Sequence, residues 1–508
     1  MFKSLLFPAA KPPDVQMSGK SMLTDLHLDQ VFHAIQQLTA QPLDEFLLRP
    51  LTTTDEINFR QAVFADLAAS QVFTALTAFS KNYEPHQAYV GRVTRVYEEE
   101  VKWYTLLIRL KRNQEALHDL ATQLAASRCQ SAALLGLQGY LADYFARPGV
   151  QKLESALAEI QQALGALRYR LVIDDLHVTV EETPGFADGL HETISDVFAP
   201  MLADQANDDD FSAIEPPETA LGVSNLQAMI LRALRQIFPE AFAKLRAFYR
   251  QYLDAQDEVL DTVASEVPFY LAVQAFEKQL GAAYDLPFCL PTAAGPGATE
   301  QVQASFDLAL AAQRGHGIVT NDYRLAADEQ FLIISGPNQG GKTTYARMVG
   351  ENYYLYRLGI PIPGRDATLG LNTQLFTHFE RAESAAKLTG LLAADVDRIY
   401  EIVTASDANS FVIMNELFSS TTAADAEKMG REVLTLLAAR GAKGIYVTFL
   451  DSLATLPNVV PMMSQVAPGS TARTYKVVRT QPDGQAYALS LLAQYGLRTE
   501  DILKEAQS

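Results

Sequence analysis

Cysteine is scarce in this chain of 508 residues, which holds two, Cys129 and Cys289. Two cysteines cannot form the disulfide framework that stabilises small secreted domains. The sequence contains no run of about 18 apolar residues without charges, so no membrane-spanning helix is predicted. The first residues, Met1 to Pro13, lack the apolar segment of a secretory signal. The sequence therefore predicts a cytoplasmic protein without membrane contact.

Positive charge is also in short supply. The chain has 41 Lys and Arg against 60 Asp and Glu, which gives a net charge of −19. Residues 171–231 contain no Lys or Arg and thirteen acidic residues. Within this segment, Leu171 to Val180 is a candidate strand, and residues 203–221 are predicted to form a solvated acidic loop. Because nucleic-acid-coating proteins usually show a basic face, the composition lowers the expectation of nucleic-acid binding.

One predicted helix carries a group of basic residues close to Trp103 and Tyr104. This group is either a small nucleic-acid patch or a solvated helix face. Its members are Lys102, Arg109, Lys111 and Arg112.

The first 280 or so residues are predicted to be almost wholly helical. Apolar residues recur at helical spacing from Leu245 to Val267 and predict one helix there, which Pro239 starts or kinks. Val150 to Leu167 shows a second amphipathic pattern. Helices this long and this far apart in the sequence favour extended lever helices over a compact bundle.

A segment rich in Gly and Pro, Pro291 to Ala298, marks a predicted domain boundary. After it, short apolar and β-branched runs alternate with helical stretches, which is an α/β pattern. The predicted strands are Phe331–Ser335, Phe411–Met414, Gly444–Phe449 and Tyr475–Arg479. The predicted fold class is therefore an α-helical region followed by an α/β domain with a central sheet.

The strongest motif is Gly336-Pro-Asn-Gln-Gly-Gly-Lys-Thr-Thr344, which fits the phosphate-loop pattern G-x-x-x-x-G-K-[ST]. An apolar run precedes it and a helical pattern, Tyr345 to Tyr354, follows it. Such a loop directs backbone N–H groups at phosphates, and the helix N-terminus adds a positive dipole. We therefore predict that ATP and Mg²⁺ bind here, with Lys342 on the β- and γ-phosphates and Thr343 on the metal. The predicted nucleotide-binding residues of the loop are Gly336, Pro337, Asn338, Gln339, Gly340, Gly341, Lys342, Thr343 and Thr344.

A phosphate loop needs an acidic partner on a neighbouring strand, and Phe411-Val-Ile-Met-Asn-Glu416 supplies it. The usual pair is Asp-Glu, in which the Asp holds the hydration shell of Mg²⁺ and the Glu polarises the attacking water. Asn415 replaces the Asp; it still accepts a hydrogen bond and remains a candidate metal contact with Thr343, but it lacks the charge. Glu416 is the candidate general base, and Lys342 the second candidate catalytic residue.

These segments resemble the MutS family. The loop Gly-Pro-Asn-x-Gly-Gly-Lys-[Ser/Thr]-Thr is that family's form of the phosphate loop, and Ser419 to Asp425 looks like its threonine-rich loop. Ile318 to Asp322 resembles the short element whose apolar residues flank the adenine, and Pro50 to Leu67 looks like the start of the helical core. The resemblance adds three nucleotide-binding residues to the site, Ile318, Val319 and Asn321.

The resemblance also implies a domain order. Residues 1–20 would be a tail, residues 21–300 a helical core with lever helices and a clamp-like acidic insertion at about 171–231, and residues 301–508 an ABC-type ATPase domain. The ATPase domains would form a homodimer. In that family the signature loop of one subunit, here around Lys387 to Leu392, reaches the γ-phosphate bound by the other.

Three positions depart from the family pattern, and all three concern hydrolysis more than binding. Asn415 stands where an Asp is usual. Gly390 lies where a serine is expected, with Thr389 as the candidate substitute, and Phe449 replaces a histidine. The resemblance with these departures implies slow ATP hydrolysis, or ATP used as a conformational clamp.

Three interpretations of function remain open. The first is an ATPase that responds to DNA structure, related to mismatch repair; the family-like core begins so early that no N-terminal mismatch-recognition domain is expected. The second is a nucleotide-switched module that grips a protein or ribonucleoprotein partner, which the acidic segment favours because it repels DNA phosphates. The third is a scaffold that binds nucleotide only structurally.

Overall fold

A computed structural model describes residues 2–8, 19–174, 177–183, 225–295, 297–380, 390–467 and 472–482. The helices are α1 Lys20–Asp25, α2 Leu28–Gln36, α3 Asp44–Leu47, α4 Thr54–Leu67, α5 Ser70–Asn82, α6 His86–Val93, α7 Glu99–Ala126, α8 Ala132–Ala146, α9 Pro148–Gly165, α10 Asn225–Ile237, α11 Pro239–Tyr252, α12 Glu258–Tyr284, α13 Leu308–Arg314, α14 Lys342–Arg357, α15 Leu391–Ala405 and α16 Ala423–Ala439. The strands are β1 Tyr169–Asp174, β2 His177–Glu182, β3 Phe288–Cys289, β4 Thr292–Ala293, β5 Glu300–Ser305, β6 Asn321–Leu325, β7 Phe331–Ser335, β8 Ile362–Pro363, β9 Asp366–Leu369, β10 Gln374–Phe379, β11 Ser410–Asn415, β12 Lys443–Val447, β13 Val459–Val466 and β14 Arg473–Arg479.

The chain divides into two compact units. The helical unit comprises Met1–Leu5 and Asp66–Pro268, and the sheet unit comprises Leu6–Ala65 and Phe269–Ser508. Among the described residues, β1 and β2 are the strands of the helical unit, whereas the strands after Pro268 alternate with helices. The prediction of a helical region followed by an α/β region is confirmed at this level.

The helical unit is built around α7, which packs against α9, α10 and α11. Leu106, Leu110 and Leu234 lie in one buried apolar cluster there. Arg109 is also buried, with 4% of its surface exposed, and its Nε donates to the carbonyl oxygen of Glu84 at 3.2 Å. Arg109 therefore lies inside the unit, and the prediction that it shares an exposed basic face was wrong.

A break between α11 and α12 corrects the prediction of one helix from Leu245 to Val267. Pro239 is the first residue of α11, as expected, but α11 ends at Tyr252 and α12 begins at Glu258. The Asp257 carboxylate accepts from the backbone N–H groups of Val259 at 3.1 Å and Leu260 at 3.0 Å. A side-chain cap of this kind starts a new helix, so it overrides the continuous apolar periodicity.

The acidic segment begins as an antiparallel hairpin instead of a single strand. β1 pairs with β2, and Arg170 forms an ion pair with Glu181 at 2.7 Å across the two strands. The predicted acidic loop, 203–221, lies outside the described residues. In the described part of the chain, no single helix combines the length and apolar character of a membrane span. Two helical segments joined at a bend, Thr54–Leu67 and Ser70–Val93, together reach that length and apolar composition, which is the only respect in which they resemble a span.

The central sheet of the sheet unit has the order β10-β11-β12-β7-β13-β14, and only β14 pairs antiparallel to its neighbour. Every residue of β7 and β11 is buried. Asn415, Val447, Ile334 and Met462 are register partners in one row across β11, β12, β7 and β13. Because parallel strands end at the same edge, the segments after these four residues come together there.

Helix α14 lies against this sheet along most of its length. Tyr353, Tyr354 and Tyr356 are each at most 1% exposed, so this helix buries three tyrosine side chains. Gly350 lies where a Cβ atom would be 2.6 Å from both Ile413 Cδ1 and Leu26 Cδ2. A glycine is therefore needed in this helix for the close approach of its neighbours.

We expect Gly350→Ala to destabilise the protein by about 1–3 kcal/mol, because the added methyl group overpacks the contact with Ile413 and Leu26. Gly91→Ala in α6 is the matched control, since no atom lies within 4 Å of the added Cβ. It should be neutral or stabilise by up to about 1 kcal/mol through helix propensity. Thermal unfolding measures both; a Gly350→Ala protein that melts at or above Gly91→Ala contradicts this packing.

Candidate functional site

The loop between β7 and α14 has two glycines with positive φ angles. Gly336 has φ 113° and Gly341 has φ 90°, values in the left-handed region that glycine adopts without strain. Gly341 caps the N-terminus of α14, whose first residue is Lys342. Asn338 and Gln339 are exposed at the tip of the loop. The first turn of a 16-residue helix thus begins beside an exposed loop, which suits an anion.

Lys342 is buried, with 4% of its surface exposed. Its Nζ donates to the carbonyl oxygens of Gly336 at 2.9 Å and Pro337 at 3.1 Å. Burial lowers the pKa of Lys342; the negative charge of Glu416 opposes this shift and the positive charge of Arg473 adds to it. The ammonium group is therefore held inside the loop by carbonyl oxygens, where it is available to a group of opposite charge.

Thr343 and Asn415 meet at the same edge of the sheet. The Thr343 hydroxyl donates to Asn415 Oδ1 at 3.0 Å, although 72 positions separate the two residues. Both supply neutral, hard oxygen atoms. Among the residues that the structure describes, no cluster of three or more His, Cys, Asp or Glu could hold a metal ion. This donor set fits Mg²⁺, which proteins bind with few side chains together with substrate phosphates and water.

Glu416 follows Asn415 with a strained backbone. Its φ is 55°, which is uncommon for a residue with a side chain, and its N–H donates to the carbonyl oxygen of Val447 at 2.9 Å. Burial raises the pKa of Glu416; Lys342 opposes this shift, and Glu380 adds to it. The carboxyl group is thus close enough to Lys342 for their charges to interact.

Phe449 lies directly over the lysine. Lys342 Nζ is 4.4 Å from the centre of the Phe449 ring, and 52% of the Phe449 surface is exposed. A cation at this distance from an aromatic face is attracted to it. The residue that departs from the expected histidine therefore contacts the ammonium group through its ring.

Asn321 fastens β6 to β14. Its Nδ2 donates to the Tyr475 carbonyl oxygen at 3.1 Å, and its Oδ1 accepts from the Val477 N–H at 2.8 Å. Tyr475 has φ 58° and is half-exposed, and its Cα and Cβ would lie 3.7 Å from a Cβ on Gly341. Asn321 thus positions Tyr475 beside the loop. Ile318 and Val319 are half-buried in the segment just before β6.

The structure therefore brings together most of the predicted site. The loop from Gly336 to Thr344, Asn415 and Glu416 share one edge of the sheet. Gly390 is the exposed residue that precedes α15. Thr389 and Lys387 lie outside the described residues. Sequence reasoning missed Tyr475 as a neighbour of the loop, because that contact depends on how β14 folds beside β13.

Comparisons with known proteins agree with the motif resemblance. Residues 332–501 match the family model described as MutS domain V. A protein named endonuclease MutS2 from Gemmatimonas aurantiaca is 26% identical over an alignment of 412 residues, and the match covers 76% of this chain and 47% of that protein. The endonuclease MutS2 of Pelotomaculum thermopropionicum is 30% identical over 196 residues, 38% of this chain and 25% of that protein.

A third relative is named DNA mismatch repair protein MutS and comes from Shouchella clausii. It is 27% identical over an alignment of 207 residues, and the match covers 37% of this chain and 23% of that protein. The chain thus spans about half, or less, of the length of the curated relatives that it matches.

We expect Asn321→Ala to destabilise the sheet unit by about 1–3 kcal/mol, because the substitution leaves the buried N–H group of Val477 without its acceptor. The matched control is Asn409→Ala, at an exposed turn position, with an expected change within about 0.5 kcal/mol. Equilibrium unfolding in urea measures the difference. Equal stabilities of the two variants would show that the hydrogen bonds from Asn321 to Tyr475 and Val477 contribute little to the stability of the protein.

Proposed function

The chain belongs to the MutS family, and from this premise we propose that it binds ATP with Mg²⁺ through an ABC-type ATPase domain in residues 301–508. The observation that carries the proposal is the buried Lys342 at the N-terminus of α14, with Thr343 bonded to Asn415 at 3.0 Å. The remaining domain division, a tail over 1–20 and a helical core over 21–300 with an acidic insertion, belongs to the same proposal.

Different groups of residues contact the phosphates, the Mg²⁺ ion and the base of the nucleotide. Backbone N–H groups between Gly336 and Thr344, apart from Pro337, which has none, hold the phosphates, and Lys342 neutralises the β- and γ-phosphates. Thr343 and Asn415 contact Mg²⁺, which screens phosphate charge when it is bound. Ile318, Val319 and Asn321 border the base in this proposal, and the half-exposed ring of Tyr475 lies next to Gly341.

Glu416 is the general base in this proposal. Its carboxylate accepts a proton from the attacking water, and its raised pKa makes it a better proton acceptor than an exposed glutamate. Hydrolysis should be slow because Asn415, Gly390 and Phe449 lack groups that stabilise developing charge. Each such loss removes on the order of 2–4 kcal/mol of transition-state stabilisation.

The relatives named MutS are mismatch repair proteins, and we propose that this chain forms a homodimer through its ATPase domains and responds to DNA structure. The alternative is a nucleotide-switched module for a protein or ribonucleoprotein, favoured by the absence of Lys and Arg from residues 171–231. Titration with duplex, branched and mismatched DNA at two salt concentrations separates the two. Phosphate contacts make affinity fall with salt, so no binding, or binding insensitive to salt, favours the protein partner.

We expect Mg²⁺ and ATP to shift the wild-type protein towards a dimer in light scattering. Lys342→Ala should lose this shift, because removal of the cation weakens phosphate binding by about 2 kcal/mol or more. Lys428→Ala, on the exposed face of α16, is the matched control and should behave as wild type. A dimer that forms equally with and without ATP, or equally in Lys342→Ala, would refute the nucleotide-driven dimer.

The pH dependence of ATP turnover tests the role of Glu416. The base works only when ionised, so its raised pKa places the acidic limb of the turnover profile above the ordinary glutamate value of 4.5. Glu380→Gln removes a neighbouring negative charge, lowers the pKa of Glu416 and should move this limb to lower pH.

Glu432→Gln, at an exposed position on α16, is the control for the pH profile and should leave the limb in place. Turnover that persists in Glu416→Gln, or a limb that moves to higher pH in Glu380→Gln, would reject Glu416 as the base.

A further inference from the structure

Ser464 in β13 is fully buried. The residue has 0% exposed surface, and its Oγ makes no hydrogen bond within the described part of the chain. A buried polar group without a partner is unfavourable, and few occur in native proteins. The position of Ser464 offers a reason for this exception.

The strand register brings Ser464 beneath the phosphate loop. β13 runs parallel to β7, and Met463 pairs with Ser335, the last residue of β7. The chain of β7 then turns into the loop at Gly336, whereas β13 continues with Ser464. The pairing of β13 with β14 shifts between Ser464 and Val466. Irregularities of this kind redirect side chains next to functional sites.

Two glycines of the loop lie against the Ser464 side chain. A Cβ on Gly336 would be 2.8 Å from Ser464 Oγ, and a Cβ on Gly340 would overlap the same oxygen. The Pro337 carbonyl oxygen is 2.9 Å from that Cβ position on Gly340. The general phosphate-loop pattern allows any residue at position 340, but here Ser464 and the Pro337 carbonyl together leave room only for glycine. The hydroxyl and the Pro337 carbonyl thus border the same small space.

Lys342 has too few N–H donors to keep both carbonyl bonds and also contact both phosphates. An ammonium group has three N–H donors, and two of those of Lys342 bond to the carbonyl oxygens of Gly336 and Pro337. Contacts with both the β- and γ-phosphates require two donors. At least one carbonyl bond must then be given up, which leaves a carbonyl oxygen inside the loop in need of a donor.

We propose that Ser464 is a positioning residue of the phosphate loop, whose hydroxyl donates to the Pro337 carbonyl oxygen when Lys342 turns to the phosphates. This inference rests on the proposed binding of ATP. Ser464 does not touch the nucleotide; it acts through the loop backbone. The Ser464 hydroxyl then gains its hydrogen-bond acceptor only when ATP is bound.

Ser464→Ala separates this role from simple space filling, because the two ligand states should respond in opposite directions. Without nucleotide, the variant should melt at a higher temperature than wild type, since the unpaired hydroxyl is gone. Its affinity for ATP with Mg²⁺, measured by competition with a fluorescent ATP analogue, should fall about three- to tenfold, the value of one net hydrogen bond. A serine that only fills space would leave the affinity unchanged.

Ser335→Ala is the matched control. Ser335 is 2% exposed, and its Oγ also lacks a partner within the described residues. As the register partner of Met463, it faces the side of the sheet opposite to Ser464, because side chains alternate along a strand. Ser335→Ala should therefore raise the melting temperature without nucleotide and leave the ATP affinity unchanged.

Different results would refute the role of Ser464 and the proposed binding of ATP. If wild type binds ATP, Lys342→Ala does not, and Ser464→Ala binds as tightly as wild type, the role of Ser464 is wrong and the ATP site stands. The role of Ser464 is equally wrong if Ser335→Ala loses as much affinity, or if Ser464→Ala melts below wild type without nucleotide. If wild type fails to bind ATP, the proposed function fails and the inference with it.

Discussion

The parallel register of β11, β12, β7 and β13 is the constraint on which the candidate site depends. Asn415, Val447, Ile334 and Met462 form one row across these strands, so the chain segments that follow them emerge at one edge. Residues from distant parts of the sequence arrive there with polar groups: a loop lysine, a strand-end amide and a carboxylate. A slip of one residue in any strand would turn its side chains to the other face and dismantle the site.

At this edge of the sheet, the buried ammonium group of Lys342 determines which charged groups the candidate site can bind. Burial of a cation is unfavourable unless partners compensate it, and here two carbonyl oxygens, the ring of Phe449 and the charge of Glu416 do so. The two carbonyl oxygens and the Phe449 ring carry only partial charge, whereas a phosphate group carries full negative charge. Phe449 therefore has two consequences: it removes the hydrogen-bond donor that a histidine would provide, and it adds an attractive contact for the lysine.

Much of this arrangement was predictable from the sequence, because local patterns determine it. The phosphate-loop motif between a buried strand and a helix specified the edge of the sheet, and β7 has the predicted bounds. The break at Asp257 escaped prediction because a side-chain cap competes with apolar periodicity. The burial of Arg109 and the positions of Tyr475 and Ser464 escaped it because they depend on contacts between distant segments, which no local pattern records.

In our proposal, the loop around Lys342 binds a nucleoside triphosphate. The most direct measurement is a structure of the protein with Mg²⁺ and a non-hydrolysable ATP analogue. We expect the triphosphate at the N-terminus of α14, with Lys342 Nζ on its β- and γ-oxygens and released from at least one of its two carbonyl partners. Nucleotide bound elsewhere, or Lys342 still on both carbonyls with no phosphate in the loop at saturating analogue, would contradict it.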